Sequence, residues 1–104
     1  MSQRMEKLNQ VLREELSKII KKELDLPKDI LVTLIKVDTL KDLSSCSVFT
    51  SVFPEEKQKQ IIDFLNKKAY ILHQALNKKL FIKRVPKLKF LIKKNIDKLL
   101  EGIE

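Results

Sequence analysis

The spacing of apolar residues along the chain constrains its fold more than any other feature. From Met5 to Ile20, apolar residues recur every three or four positions, which predicts an amphipathic helix. In SCSVFTSV (45–52) the period changes to two, which predicts a strand with one buried face. A segment with the helical period could not bury all its apolar residues on one face if it formed a strand. The chain must therefore combine helices and strands in one fold.

Three further segments complete the predicted order. ILVTLIKV (30–37) is rich in aliphatic and β-branched residues and predicts a strand that forms a loose hairpin with 45–52. Residues 54–79 have a helical pattern, but a straight helix of that length would extend roughly 39 Å. We therefore expect a bend or break, although no glycine or proline marks it. RVPKLKFLI predicts a third strand, with Pro86 at its first position.

The order α-β-β-α-(α)-β predicts an α+β fold, in which a three-stranded mixed sheet has its helices packed on one face. The serine face of 45–52 is expected to be solvated and the Cys46 face buried. A length of 104 residues, 43% of them hydrophobic, suits a single domain. We expect an ordered core of about 4–93 and a short tail, 94–104, whose NIDKLLEGIE predicts a last turn or two of helix.

Residue types needed for catalysis are scarce. The chain has one histidine, one cysteine and one glycine, so we expect no metal cluster, nucleophile motif or glycine-rich phosphate loop, and hence no enzyme and no cofactor. Cys46 is expected in the core. His73 is expected to be partly buried or at the surface, with a phosphate contact as the alternative. With no apolar segment long enough to span a bilayer and no secretory signal pattern, a cytoplasmic location is expected.

Charge is distributed unevenly along the chain. The net charge is +8, yet residues 1–53 carry nine Lys or Arg against eight Asp or Glu. Residues 64–96, here called the basic run, carry ten basic residues and no acid. Cations needed only for solubility would be interspersed with acids. The basic run therefore favours a nucleic-acid surface, while an acidic membrane or an acidic protein remains open as the partner.

The candidate RNA-binding residues are the cations of the basic run, with Arg4 added if the first helix begins beside them. Aromatic residues near them are few, which favours recognition of RNA backbone and shape over reading of splayed bases. The candidates are Arg4, Lys67, Lys68, Lys78, Lys79, Lys83, Arg84, Lys87, Lys89, Lys93 and Lys94.

Three segments resemble the bacterial ribosome-binding factor A family: RMEKLNQVLREELSKII, ILVTLIKVDTLKDLSSCSVFTSVFPEE and LNKKLFIKRVPKLKF. The resemblance covers about Arg4 to Phe90 and is most specific at Asp42-Leu43, SVFPEE and RVPKLKF. It implies a KH-like domain of the second topological type. It also implies a non-catalytic factor that binds the immature small (30S) subunit and its 16S rRNA, assists late maturation of the pre-rRNA and supports growth in the cold. We expect it to be a monomer when free.

The sequence lacks the Gly-x-x-Gly loop of ordinary KH domains, and it departs from the family pattern in two places. Tyr70, in Lys68-Ala69-Tyr70, stands where the family has the glycine of an Ala-x-Gly kink, so the kink either forms without glycine or is straightened. Lys87 replaces the usual acid after the proline.

Two other functions remain open. A protein-interaction adaptor would use the same basic surface on an acidic partner, and a membrane-surface protein would need a helix with a free apolar face. The sequence does not show which rRNA helices are contacted, which factor triggers release, or whether all the basic residues share one surface.

Overall fold

The computed structural model describes residues 3–92. Its element order, α-β-β-α-α-β, confirms the predicted α+β fold. The tail 94–104 and two candidate residues, Lys93 and Lys94, lie outside the described residues. The elements are helix α1 (Gln3–Glu23), strands β1 (Leu31–Thr39) and β2 (Ser45–Phe53), a 3₁₀ turn (Glu55–Lys57), helices α2 (Gln58–Lys67) and α3 (Ala69–Lys79), and strand β3 (Lys87–Ile92).

The three strands form a mixed sheet in the order β1-β2-β3. Strand β1 is antiparallel to β2, as expected for a hairpin, and β3 is parallel to β2. A parallel pair needs a long crossover, which α2 and α3 supply. At the centre of the sheet, Val48 pairs with Val37 on one side and Phe90 on the other, and all three side chains are buried.

All three helices pack on the same face of this sheet. Strand β2 alternates along its length, with Cys46, Val48, Thr50 and Val52 buried and the intervening residues partly or largely exposed. This alternation confirms that one face is covered and the other open. The core is completed by fully buried leucines of the three helices, namely Leu12, Leu16, Leu65, Leu72 and Leu76.

Two threonine hydroxyls that enter the core are hydrogen-bonded there. The buried Thr50 hydroxyl donates to the carbonyl of Val48 at 3.0 Å, and the Thr39 hydroxyl donates to Oδ1 of Asn9 at 2.6 Å. Cys46 is buried as expected, and its burial raises the pKa of the thiol to about 11. The thiol is therefore protonated at neutral pH and behaves as a small core side chain.

The β1–β2 turn has a specific geometry that explains the Asp42-Leu43 pair. Leu43 adopts a positive φ of 63°, a conformation that costs a non-glycine residue about 1 kcal/mol. The carboxylate of Asp42 accepts hydrogen bonds from the hydroxyl and the backbone N–H of Ser44, at 2.7 and 3.0 Å. These bonds hold the turn closed and lower the pKa of Asp42, with a smaller contribution from the charge of Arg84.

A break at Lys68 separates α2 from α3. The expected interruption of the long helix is confirmed, and it forms without glycine. Lys68 has φ −94° and ψ 5°, a combination that needs no positive φ. Its carbonyl accepts hydrogen bonds from Ile71 at 3.0 Å and Leu72 at 3.3 Å, which restarts the helix. Tyr70 lies inside α3 and is 63% exposed.

Two side chains attach the broken helix to β3 and the segment before it. Asn66 accepts a hydrogen bond from the backbone N–H of Phe90 at 2.8 Å and donates to its carbonyl at 3.1 Å. Since β3 is an edge strand, this amide takes the place of a neighbouring strand at Phe90. On α3, Nε2 of His73 donates to the carbonyl of Val85 at 2.8 Å, and Nδ1 accepts from Asn77 at 3.3 Å. Both ring nitrogens of His73 are therefore engaged within the protein.

Replacing Asn66 with alanine should lower the free energy of unfolding by about 1–3 kcal/mol, because the backbone groups of Phe90 lose partly buried partners. Urea denaturation followed by circular dichroism measures this change. The matched control is Gln74→Ala, which removes an exposed amide from α3 and should shift stability by less than about 0.5 kcal/mol. Equal losses in the two variants would contradict the role of Asn66.

Candidate nucleic-acid interface

The segment that leads from α3 into the first residue of β3 presents a group of three exposed candidate cations. Lys83, Arg84 and Lys87 are exposed, and we call these three residues the loop patch. Val85 and Pro86, which lie between them, are buried and anchor the segment to the core. The loop patch is therefore carried by a fixed backbone.

The loop patch lies against the β1–β2 turn. The backbone N–H of Lys87 donates to the carbonyl of Ser44 at 3.2 Å, and Arg84 is close enough to Asp42 to help lower the pKa of that carboxyl. Asp42 is already bonded to Ser44, so its charge offsets the patch only in part. The start of α1 is at this same end of the sheet, because Asn9 bonds to Thr39, and it carries the exposed Arg4.

Strand β3 carries two candidates on the side opposite the helices. Lys87 and Lys89 are exposed, whereas Phe90 is buried and Leu88 is half-buried between them. Lys89 is in register with Ser47 of β2, so its side chain belongs to the open face of the sheet.

Helix α3 directs two other candidates toward α1. Nζ of Lys79 lies 3.0 Å from Oε1 of Glu15, and Nζ of Lys18 lies 3.4 Å from Oε2 of the same carboxylate. The hydrogen bond from Lys79 is the main reason that the pKa of Glu15 is lowered, with the Lys18 charge adding to it against the opposing effect of burial. Lys78 borders the shallow groove between α1 and α3.

The helix break places Lys67 and Lys68 together. Lys67 is exposed, and Nζ of Lys68 lies 5.9 Å from the centre of the Phe64 ring, within range of a cation–π contact. This side chain thus lies along the helix surface.

The structure divides the candidate residues among several surfaces. It brings Arg84 and Lys87 together beside the β1–β2 turn, whereas the helical layer carries Lys79 and the opposite side of the sheet carries Lys89. The basic run is free of acids in the sequence, but Glu15 and Asp42 lie beside it in the fold. Neither acid could be found from local sequence, because each comes from a distant segment.

The described residues show no arrangement suited to metal chemistry. No three His, Cys, Asp or Glu side chains within residues 3–92 lie close enough together to hold a metal ion. A groove of about 660 Å³ runs between α1 and β1 and is lined by Arg13, Ile20, Leu24 and Leu31 among others, with none of the candidate cations. In the same residue range, no helix combines the length and apolar character needed to cross a membrane.

Fold and site together define a KH-like α+β domain that lacks the Gly-x-x-Gly loop and presents a basic segment before its last strand. The family model of ribosome-binding factor A matches residues 4–102, and the chain belongs to that family. A relative from Macrococcus caseolyticus, named ribosome-binding factor A, is 34% identical over 98 residues, which are 93% of this chain and 86% of the relative.

Solved structures agree with this assignment. Ribosome-binding factor A from Thermus thermophilus aligns with a TM-score of 0.77 and 29% identity over 86% of this chain and 96% of the other. A homology model of Thermus thermophilus ribosome-binding factor A, as fitted into the cryo-electron microscopy map of a complex with 30S, aligns with a TM-score of 0.68 and 30% identity over 82% of this chain and 90% of the other. A Thermotoga maritima protein with 22% identity and a TM-score of 0.74, covering 88% of both chains, supports the fold alone.

The Glu15–Lys79 ion pair should make stability depend on pH. Because the pKa of Glu15 is lowered by folding, its contribution is present above the unfolded value of about 4.3 and is lost as pH falls through the folded pKa. The wild-type protein should therefore exceed Glu15→Gln in urea midpoint at pH 7 and approach it near pH 3. In a Lys79→Met background most of this difference should disappear. A difference that is the same at both pH values would contradict the pairing.

Proposed function

We propose that this protein is a non-catalytic ribosome assembly factor that binds the immature small (30S) subunit and its 16S rRNA and assists late maturation of the pre-rRNA. Its membership of the ribosome-binding factor A family supports this function. The Thermus relative fitted into a 30S complex supports the small subunit as the partner. Action in the cytoplasm, as a monomer when free, and a contribution to growth in the cold belong to the same proposal.

The loop patch carries the proposal. Its three exposed cations extend from a segment fixed by buried Val85 and Pro86, by the His73 bond to Val85 and by the Lys87 bond to Ser44. A fixed backbone lets charged side chains contact phosphates without ordering the loop first, which lowers the entropic cost of binding. Contacts of this kind position a protein on RNA without reading its sequence.

The remaining candidates would extend this contact to different degrees. Lys89 continues from the loop patch along the open face, and Arg4 lies at the same end of the sheet. Lys67 and Lys68 form a second group at the helix break. Lys78 borders the groove toward α1, and Lys79 would have to leave Glu15 in order to contact a phosphate. We therefore propose a smaller contribution from Lys79 than from the loop patch. Lys93 and Lys94 remain candidates from the sequence.

Neutralising the loop patch should weaken binding to small subunits. For about six phosphate contacts, the logarithm of the binding constant against the logarithm of salt concentration should have a slope near −4 to −5. In the variant Lys83→Gln/Arg84→Gln/Lys87→Gln, three contacts are lost and the slope should become shallower by about 2. Co-sedimentation with small subunits over a range of salt concentrations measures both the affinity and the slope.

The matched control neutralises three exposed cations outside the candidate set, Lys21, Lys28 and Lys59, with the same loss of net charge. It should bind more tightly than the loop-patch variant at every salt concentration, while both variants unfold at the wild-type temperature. Equal binding by the two variants would show that net charge matters and the loop patch does not.

The alternative, an adaptor that meets an acidic protein, differs in one measurable respect. Binding through rRNA phosphates must be lost when nuclease digests the rRNA of the subunits. Association that survives digestion would favour the adaptor.

A further inference from the structure

The open face of the sheet carries aromatic residues as well as cations. This face, opposite the helices, is built by every second residue of β2 and by the residues paired with them. Its members are Leu31, Thr33, Lys36 and Asp38 on β1, Ser45, Ser47, Phe49, Ser51 and Phe53 on β2, and Lys87, Lys89 and Leu91 on β3.

The register places one aromatic ring in the middle of the face and one at its end. Phe49 lies between Lys36 and Leu91, and Phe53 is opposite Leu31. Phe53 is 67% exposed and Leu31 is 64% exposed, so no described element covers this end of the face. Four residues along a strand separate the two rings by about 13 Å.

Serines occupy the positions between and before the rings. Phe49 is half-buried, and its β2 neighbours on this face, Ser47 and Ser51, have small side chains that leave the exposed part of its ring free of bulky groups along the strand. Folding does not require phenylalanine on a solvated face. Because Phe53 is exposed, it contributes no hydrophobic stabilisation through burial. The arrangement of these rings and serines leaves room for a planar ligand on the open face.

Charge indicates what kind of ligand fits. Among the residues of the open face, Lys36, Lys87 and Lys89 are positive and Asp38 alone is negative. Exposed aromatic rings beside cations are the combination by which proteins hold single-stranded nucleic acid, with bases stacked on the rings and phosphates beside the cations. An apolar protein segment would use the rings but would gain nothing from the lysines.

We propose that the open face binds a short unpaired RNA segment, with one base stacked on Phe53, another on the half-buried ring of Phe49, and the phosphates around that second base beside Lys36 and Lys89. The inference rests on the proposed contact with rRNA and identifies the RNA class that this face takes. It uses a surface separate from Lys83 and Arg84. It also reverses the expectation that sparse aromatic residues limit the protein to backbone and shape recognition.

Fluorescence anisotropy with the full chain and a labelled, unstructured RNA of about ten nucleotides tests the proposal. Phe53→Ala should weaken binding by about 5- to 150-fold, the effect of losing one stacked base. The salt dependence should stay as in the wild type, because no phosphate contact is lost. Phe53→Tyr, which keeps an aromatic ring, should bind like the wild type. Lys89→Gln should make the salt slope shallower by about 0.7.

Leu31→Ala is the matched control, because Leu31 is the cross-strand neighbour of Phe53 and is equally exposed. It should bind the RNA as the wild type does. Equal weakening by Leu31→Ala and Phe53→Ala would overturn base stacking and indicate a general apolar contact, as with a protein partner. Wild-type affinity in Phe53→Ala would overturn the proposal outright. Thermal melting of each variant shows that a weakened protein is still folded.

The variant Lys83→Gln/Arg84→Gln separates this inference from the proposed function. If it loses subunit binding and the RNA affinity of Phe53→Ala is unchanged, the inference fails and the docking proposal stands. If it binds subunits normally and RNA binding still depends on Phe53, the proposed docking role of the loop patch is wrong and the inference stands.

Discussion

The pair of hydrogen bonds between Asn66 and Phe90 is the constraint on which the rest of the structure depends. It fixes the end of α2 against the edge strand β3, immediately before the helix breaks at Lys68. From that break α3 turns back along α1, and His73 holds the segment that leads into β3. Without this attachment, the backbone groups of Phe90 on the outer edge of β3 would lose their partners, and the β2–β3 pair would lose its link to α2.

The fold gives its two layers different electrostatic surroundings. On the helical layer, Glu15 binds Lys79 and Lys18, so part of the positive charge there is neutralised within the protein. On β3, Lys87 is next to Ser44 and Ser45 and Lys89 is paired with Ser47, and serine carries no charge that would neutralise a lysine. Fewer of the cations on these two surfaces are neutralised within the protein, although Asp42 lies beside Arg84 and Asp38 lies on the open face.

Element types and their order were predictable because they follow from local periodicity. The helical pattern up to Ile20, the alternation of SCSVFTSV and the proline before KLKFLI each determine one element without help from the rest of the chain. The length of the helical pattern in residues 54–79 predicted a break, but not the backbone conformation that would form it. Lys68 takes a backbone conformation that needs no positive φ, so no glycine was required, and Tyr70 lies in the first turn of α3. The family resemblance pointed to the same fold, which solved relatives confirm.

The amino-acid sequence by itself determined an α+β chain with an aliphatic core, a scarcity of catalytic residues and a segment dense in cations. Those properties depend on residue type and on spacing of a few positions. Only the tertiary structure decided which cations have acidic neighbours and which aromatic rings share a face. Glu15 meets Lys79 and Phe53 meets Leu31 because helix packing and strand register bring distant segments together. Electrostatic and stacking interactions depend on distance in space, and periodicity along the chain carries no information about it.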